Sequence, residues 1–468
     1  MIDLGLSSLI PPLVAIGFAI WTRQVYLSLF LGLLVGYTIL AGWNPLVGFG
    51  DSLDALLRVF ESESNSAVII FSVLMGVLIN YTQSSGGVQG FVNWLENKGF
   101  VNSKRSAGFL AWGIGMVVFV ETNITCLVTG TVCRPVFDRH KISREKLAYI
   151  VDSTSSPVCI MLPLNAWGAF IIGLLSEQGV EFPVKVFVQS IPFNFYAILA
   201  LLLVVVVIIT QRDIGPMKDA ENRAMESSND ENKHRSISSN IGNIEIVQGV
   251  TPKAINMILP IVTMVLMMPV GLYVTGGGDM LSGSGSKSVL LAVIIAVFLA
   301  AVLYRVQGIM NLQELSSRFI EGGRALIPIA IIMMLAFAIG NLTTEMGTGI
   351  YVAKVIGSSV SYIFIPPILF IVASAISFST GTSWGTFAIM IPIAIPLVVQ
   401  TGGAIPLALA AVLSGGIFGD HCSPISDTTI ISSLASMSDH IEHVKTQLPY
   451  ALIAGAATTL LFTIAAAF

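Results

Sequence analysis

Apolar runs close to the ~20 residues that cross a bilayer recur along the chain at residues 6–21, 25–42, 65–82, 190–210, 254–274, 288–304, 325–343 and 450–468. They predict an all-α polytopic membrane protein. Between residues 211 and 253 the pattern breaks into Asp, Glu, Asn, Ser, Lys and Arg, as in Lys218-Asp-Ala-Glu-Asn-Arg223. Such a stretch cannot bury enough apolar surface to order itself. It predicts a solvated, mobile connector over 212–253, with membrane halves at 1–211 and 254–468.

Side by side, the halves repeat one another weakly. Asn80-Tyr-Thr82 followed by Gly86 matches Asn341-Leu-Thr343 followed by Gly347. Further on, Phe119-Val-Glu-Thr-Asn-Ile-Thr125 matches Phe378-Ser-Thr-Gly-Thr-Ser-Trp384, and Asp152-Ser-Thr-Ser-Ser-Pro157 matches Asp420-His-Cys-Ser-Pro424. The three matches fall in the same order in both halves.

Loop charge then sets orientation, because Lys and Arg accumulate on the cytoplasmic side. Arg23, Lys98, Lys104, Arg105 and the set Arg134, Arg139, Lys141, Arg144 and Lys146 make basic loops in the first half. The counterparts at 275–287, 345–361 and 398–404 are nearly devoid of positive charge. Conversely, Arg305, Arg318 and Arg324 make a basic loop where the first half has an acidic one at 51–63. The halves therefore read as inverted, with about five transmembrane helices each, both termini external and the connector cytoplasmic, in the cell's inner membrane.

That count requires a re-entrant hairpin in each half. Segments 106–120 and 124–133 are too short to span and meet at a Glu121-Thr-Asn123 tip. Segments 362–378 and 386–397 mirror them, with a tip at Ser379-Thr-Gly-Thr-Ser383. Each hairpin is followed by an interrupted helix, broken at 152–157 and at 420–427. There a proline removes a backbone donor and Ser, Thr and Asp offer substitutes. Irregular backbone is tolerated at membrane depth only where protein or a watery cavity surrounds it, so these four segments are expected to converge on a central site.

The richest segment is Gly415-Gly-Ile-Phe-Gly-Asp-His-Cys-Ser-Pro-Ile-Ser-Asp-Thr-Thr429. Asp420 and Asp427 are carboxylates in an apolar stretch, which cost roughly 2.5–3.5 kcal/mol each on insertion scales and mark a functional site by default. With Ser423, Ser426 and Thr428 they offer the hard oxygen ligands that suit sodium. A carboxylate stripped of water also holds a proton more readily, so it can trade that proton for a cation near neutral pH. The plainer reading is that both aspartates cap half-helices, and the two roles are compatible.

Asp152, with Ser155 beside it, carries the same expectation for the first half. Glu121 and Asn123 would favour sodium or an ammonium at one hairpin tip, and Thr382 and Ser383 supply hydroxyls at the other. His421 either couples protons or sits neutral against the backbone. Asn80 and Asn341, at the ends of the helices preceding each hairpin, either flank the site or terminate helices near a glycine. His440 and His443 read as solvated residues of a mixed-charge loop, and Gly113 and Gly115 as close-packing positions between helices.

Composition sharpens the class: 54% of residues are hydrophobic and 11% charged, with a mean hydropathy of +0.84, against roughly 25% charged in soluble domains. A net charge of -4 with no basic, aromatic-interleaved cluster gives nucleic acid no footing. The start, Met1-Ile-Asp-Leu-Gly5, has no basic region or cleavage site of a signal peptide. Cys126, Cys133, Cys159 and Cys422 form no CxxC pair and are expected as buried free thiols. No HExxH, GxSxG or full P-loop pattern argues for an enzyme, since Gly283-Ser-Gly-Ser-Lys287 lacks the P-loop spacing.

Gly419-Asp-His-Cys-Ser-Pro-Ile-Ser-Asp-Thr-Thr429, preceded by Gly381-Thr-Ser-Trp-Gly-Thr386, resembles the signature of the NhaC family of sodium/proton antiporters. The resemblance extends over most of the chain outside the connector. It implies a gradient-driven exchanger of an ion-transporter superfamily with paired hairpins and broken helices. Sodium would sit at Asp420, Asp427 and Asp152, with no cofactor beyond Na+ and H+ as coupling ions and a homodimer left open. Because such families include malate/lactate antiporters and carriers of amino acids, coupled movement of a small organic solute stands as the alternative.

Overall fold

A computed structural model describes the chain except residues 1–3, 23, 92–102, 118, 120–121, 164, 227–250, 279–282, 349–350, 352–360, 425 and 468. Among the described residues there are nineteen α-helices and no strand. The apolar runs become α1 (Ile10–Thr22), α2 (Val25–Leu40), α4 (Glu63–Ser84), α10 (Phe195–Thr210), α12 (Ile255–Thr275), α13 (Gly285–Val306), α14 (Leu312–Glu345) and α19 (His440–Ala465). Eight described helices are long and apolar enough to cross a membrane, or ten crossings if each of two bent pairs counts as one.

The acidic 51–63 stretch is not a loop. Asn44 accepts from Leu46 N and Val47 N and Pro45 fills the first turn, so α3 (Pro45–Arg58) forms. Its small residues Gly48, Ser52 and Ala55 face inward, while Leu46, Leu53 and Leu57 stay exposed.

Helix pairs stand where the hairpins are expected, α5 (Lys104–Val117) with α6 (Thr122–Arg139), and α15 (Ile365–Thr380) with α16 (Ser383–Gln400), but both members of the second pair are among the helices long and apolar enough to cross a membrane. The second turns on Gly381 at φ +67°, a conformation that glycine adopts without penalty. After each hairpin comes an interrupted pair: α7 (Arg144–Met161) and α8 (Ala166–Glu177), then α17 (Ile405–Cys422) and α18 (Asp427–Ser436). The second interruption falls where the sequence puts it.

The first does not. α7 runs unbroken through 152–157, with Pro157 inside it, and the interruption lies between Met161 and Ala166, where the axis turns by 40°. Thr154 and Ser155 return their hydroxyls to the carbonyls of Ile150 and Asp152 at 2.7 and 3.0 Å, within the helix rather than as caps to a following one. The chain instead goes extended at Leu162 (ψ 121°), as the residue before a proline prefers. Asn165 then caps α8 through Gly168 N at 3.0 Å.

Helices from opposite sides of the hydrophilic stretch interlock. On the α4–α14 pair, Asn80 donates to Arg318 O at 2.7 Å and Tyr81 to Leu315 O at 2.9 Å. At one end Lys287 pairs with Glu63 and Ser64 meets Ser286.

The hydrophilic stretch itself is not wholly solvated. Its first part folds as α11 (Pro216–Glu226), with Met217, Ala220 and Glu221 buried, and residues 227–250 lie outside the described set. A buried ion cluster docks α11: Lys146 Nζ of α7 stands 2.9 Å from Asp213 Oδ2 and 3.7 Å from Glu221 Oε2. Glu221 also accepts from Ser143 N at 2.7 Å. Burial pushes the Asp213 carboxyl up despite the pull of the Lys146 ammonium.

Lys146→Met strands two buried carboxylates and is expected to cost ~3–5 kcal/mol. The folded state of the variant holds the Asp213 proton to higher pH than the unfolded chain does. Protons therefore favour folding, and the deficit shrinks as pH falls from ~8 to ~6. Melting curves of purified protein at the two pH values check both the loss and its sign.

Candidate ion site

The first interrupted pair meets the second hairpin-and-break assembly at Asp152. This carboxylate, on the middle of α7, is fully buried and takes donors from two other helices. Thr429 Oγ1 reaches its Oδ2 at 3.1 Å and Ser432 Oγ its Oδ1 at 3.4 Å, both from α18. Gln447 Nε2 of α19 reaches Oδ2 at 2.6 Å. Its second amide hydrogen goes to His421 O at 2.9 Å.

Asp420, in the last turn of α17, is 1% exposed and accepts from Thr428 Oγ1 at 2.9 Å. Thr428 in turn meets Ser426 Oγ at 3.0 Å, and Ser426 caps α18 through Thr429 N. The α18 N-terminus is thereby held beside the α17 C-terminus. Ser155 is buried against Asp152 O.

His421 is bracketed by Asp152 O, 3.2 Å from its Nε2, and Tyr196 OH of α10, 3.1 Å from its Nδ1. A carbonyl only accepts, so Nε2 carries hydrogen and the tyrosine donates to Nδ1 of a neutral ring. The geometry favours the backbone-bonded histidine of the two readings. Beside it lies a cavity bordered by Tyr149, Ser153, Tyr196 and Gln447. The centre of a water molecule has about 10 Å³ in which to move there, room for one.

The Ser383 hydroxyl of the second hairpin tip is already engaged, as are those of Ser377 and Ser423 beside it. Ser383 Oγ donates to Gly416 O at 3.1 Å, Ser377 Oγ to the same carbonyl at 2.6 Å, and Ser423 Oγ to Phe378 O at 2.8 Å. Thr382 opens α16 and its carbonyl accepts from Thr386. These bonds clamp the tip onto α17. The clamp closes because α17 is glycine-rich where it meets α15: a Cβ on Gly419 would lie 2.3 Å from Ser374 O and 2.7 Å from Phe378 N. Gly115 makes a similar approach to Thr154, whereas Gly113 has open space around it.

Not every candidate joins this cluster. Asn80 is committed to Arg318 O and Ser84 on the α4–α14 pair, and Asn341 is exposed on α14. Glu121 lies outside the described residues, as do the side chains of Asn123, in the first turn of α6, and Asp427, the first residue of α18.

Two residues of the network escape sequence reasoning, Gln447 and His443. His443 is fully buried rather than solvated, because α19 begins at His440 and carries it inward. The spacing His443, Gln447, Tyr450 on one helical face was the available signal. The four cysteines are buried, and none of them forms a disulfide among the described residues.

A sequence model of the Na+/H+ antiporter family matches residues 177–467, which include Asp420, α18 and Gln447. The chain belongs to this family. An uncharacterised protein of Haemophilus influenzae is 33% identical over 98% of this chain and 91% of its own length. A malate-2H+/Na+-lactate antiporter of Bacillus subtilis is 39% identical over 22% of this chain and 23% of that one. Among solved structures, the YdaH transporter of Alcanivorax borkumensis superposes with a TM-score of 0.65 at 14% identity, covering 94% of this chain and 97% of that one. At that identity the likeness concerns the fold alone. Family and fold together make the chain a multi-pass membrane protein and a secondary transporter, and sodium and protons are the ions this family is named for.

Proposed function

We propose that the protein exchanges Na+ for H+, with Asp420 and Asp427 alternately holding sodium and protons and Asp152 in a supporting or second sodium site. The observation that carries this reading is the fully buried Asp152 carboxylate, whose side-chain donors among the described residues are neutral groups of α18 and α19. A buried carboxylate without a fixed cation partner is expensive unless it takes up a mobile one or a proton. The engaged hydroxyl of Ser383 at the second tip, with those of Ser377 and Ser423 beside it, favours a bare ion over a cargo that would need them.

The architecture belonging to this reading is a pair of inverted repeats, 1–211 and 254–468, each with a re-entrant hairpin and a broken helix. A cytoplasmic connector over 212–253 joins them in the cell membrane. The order of elements supports it: α5–α6 then α7–α8 in one half, α15–α16 then α17–α18 in the other. Inverted repeats with discontinuous helices serve alternating access around a midplane site.

Coupled movement of a small carboxylate is the second reading, favoured by the Bacillus subtilis relative's named cargo. Proteoliposomes with an internal pH dye separate the two. A sodium gradient alone is expected to move protons in the wild type, and Asp427→Asn to stop this while the protein still inserts. Proton movement that appears only with malate, lactate or an amino acid overturns sodium/proton exchange in favour of coupled solute transport.

A further inference from the structure

The hydrogen-bond network around Asp152 does not stop at Gln447. Its amide nitrogen is fixed by two acceptors, Asp152 Oδ2 and His421 O, so its oxygen must face the other way, toward His443 Nε2 at 3.0 Å. That nitrogen therefore carries hydrogen.

On the far side of the ring, His443 Nδ1 is 2.8 Å from Ser433 Oγ. Ser433 Oγ also lies 2.7 Å from Thr429 O and 3.1 Å from His440 Nδ1. His440 Nε2 faces Pro424 O at 2.6 Å and so also carries hydrogen. With both rings neutral, one hydroxyl hydrogen faces three acceptors: a carbonyl and two imidazole nitrogens. One added proton resolves the shortage. As an imidazolium, His443 donates to Ser433 and to Gln447 together, and Ser433 turns its hydrogen to another neighbour.

We propose that His440, Ser433 and His443 form a proton relay and proton-binding site that answers the charge at Asp152 through the Gln447 amide. The proposal rests on the sodium-for-proton reading above. His440 is half-buried at the rim and His443 fully buried, so the chain runs from the surface to the ion site. Inward transfer is balanced at each atom. It starts from His440 as an imidazolium, which has taken a proton from solvent at Nδ1 while Nε2–H stays on Pro424 O: its Nδ1–H passes to Ser433 Oγ, the Ser433 hydroxyl proton passes to His443 Nδ1, His440 returns to neutral, and release reverses the moves. A proton on His443 is stabilised by an ionised, cation-free Asp152 and expelled when sodium arrives there, since like charges at short range disfavour one another.

The groups whose fields reach His443 are Asp152 from α7 and His440 on its own helix. α18 presents Ser433 to the ring, and α17 presents the His421 carbonyl to Gln447. α10 and α15 meet α19 through Phe195 and Phe370 against Phe462. α11 meets it by Arg223 at Glu442.

The test measures protons released when sodium is added to the purified full-length protein in weakly buffered detergent solution with a pH dye. His443→Gln, which can still donate to Gln447, is expected to lower the count by about one proton per sodium and to flatten the pH dependence of sodium affinity. His440→Gln, at the rim, is expected to keep the count but slow release by about tenfold or more. Equal counts and pH profiles for His443→Gln and wild type would reduce His443 to a packing residue and overturn the inference alone, as would an unaltered rate in His440→Gln. A wild type that releases no proton sinks the sodium-for-proton reading and the inference with it.

Discussion

Asp152→Asn is expected to abolish sodium-driven proton movement without lowering the melting temperature. The amide can keep the shape of the network. Its oxygen in the Oδ2 position still accepts from Thr429 and Gln447, and its nitrogen in the Oδ1 position faces Ser432, whose hydroxyl can turn to accept. What disappears is the negative charge, and with it the proposed sodium ligand. Exchange in proteoliposomes should fall at least about 100-fold, equivalent to ~2.7 kcal/mol at the limiting step. Removing a buried charge that has only neutral donors is neutral or stabilising for the fold. A variant that melts at or above the wild-type temperature but does not transport assigns Asp152 to the ion. Retained exchange would leave Asp152 a helix-tethering residue and shift the site to Asp420 and Asp427.

Gly419→Ala is expected to fail in the opposite way, by structure first. The added methyl meets backbone atoms, Ser374 O at 2.3 Å and Phe378 N at 2.7 Å, and backbone cannot swing aside like a side-chain end. The helix propensity gained, about 1 kcal/mol, does not offset an overpacking cost of about 1–3 kcal/mol together with the lost grip of Ser377 and Ser423 across the same contact. α17 must move off α15, taking Asp420 with it. A lower melting temperature with exchange lost in parallel is the predicted pair of results. An unchanged melt would mean that the two helices are not held so closely.

The contrast between the two breaks indicates what a sequence makes legible here. Around Asp420–Asp427 the proline is flanked by caps that work on the next helix, Ser426 on Thr429 N, so the local signals agree and the interruption is readable. Around Asp152–Pro157 the same residue types turn their hydroxyls backward onto the preceding carbonyls and hold the helix together. Only their direction distinguishes the cases, and composition does not encode direction. The true first break had its own signal in Pro163 and Asn165.

His443 and Gln447 were hidden for a different reason. Asp439, Glu442 and Lys445 around them give the segment the charge of a surface loop, although Asp439 is the N-cap of a helix, accepting from Glu442 N at 2.9 Å. α3 was hidden likewise, its acidic residues outweighing the Asn44-Pro45 start signal. The long apolar spans needed no such detail, because their length against the bilayer decides them.

Among the described residues, the three side-chain donors to Asp152 come from beyond the hydrophilic stretch, on α18 and α19, while the carboxylate itself comes from α7. The proposed ion site is thus shared between the segments on either side of that stretch. If the halves descend from one duplicated ancestral chain, that ancestor could build the same pocket only by pairing with a second copy of itself inserted the other way up. The hydrophilic stretch would then be the scar of a fusion that turned an association between two molecules into a connection within one.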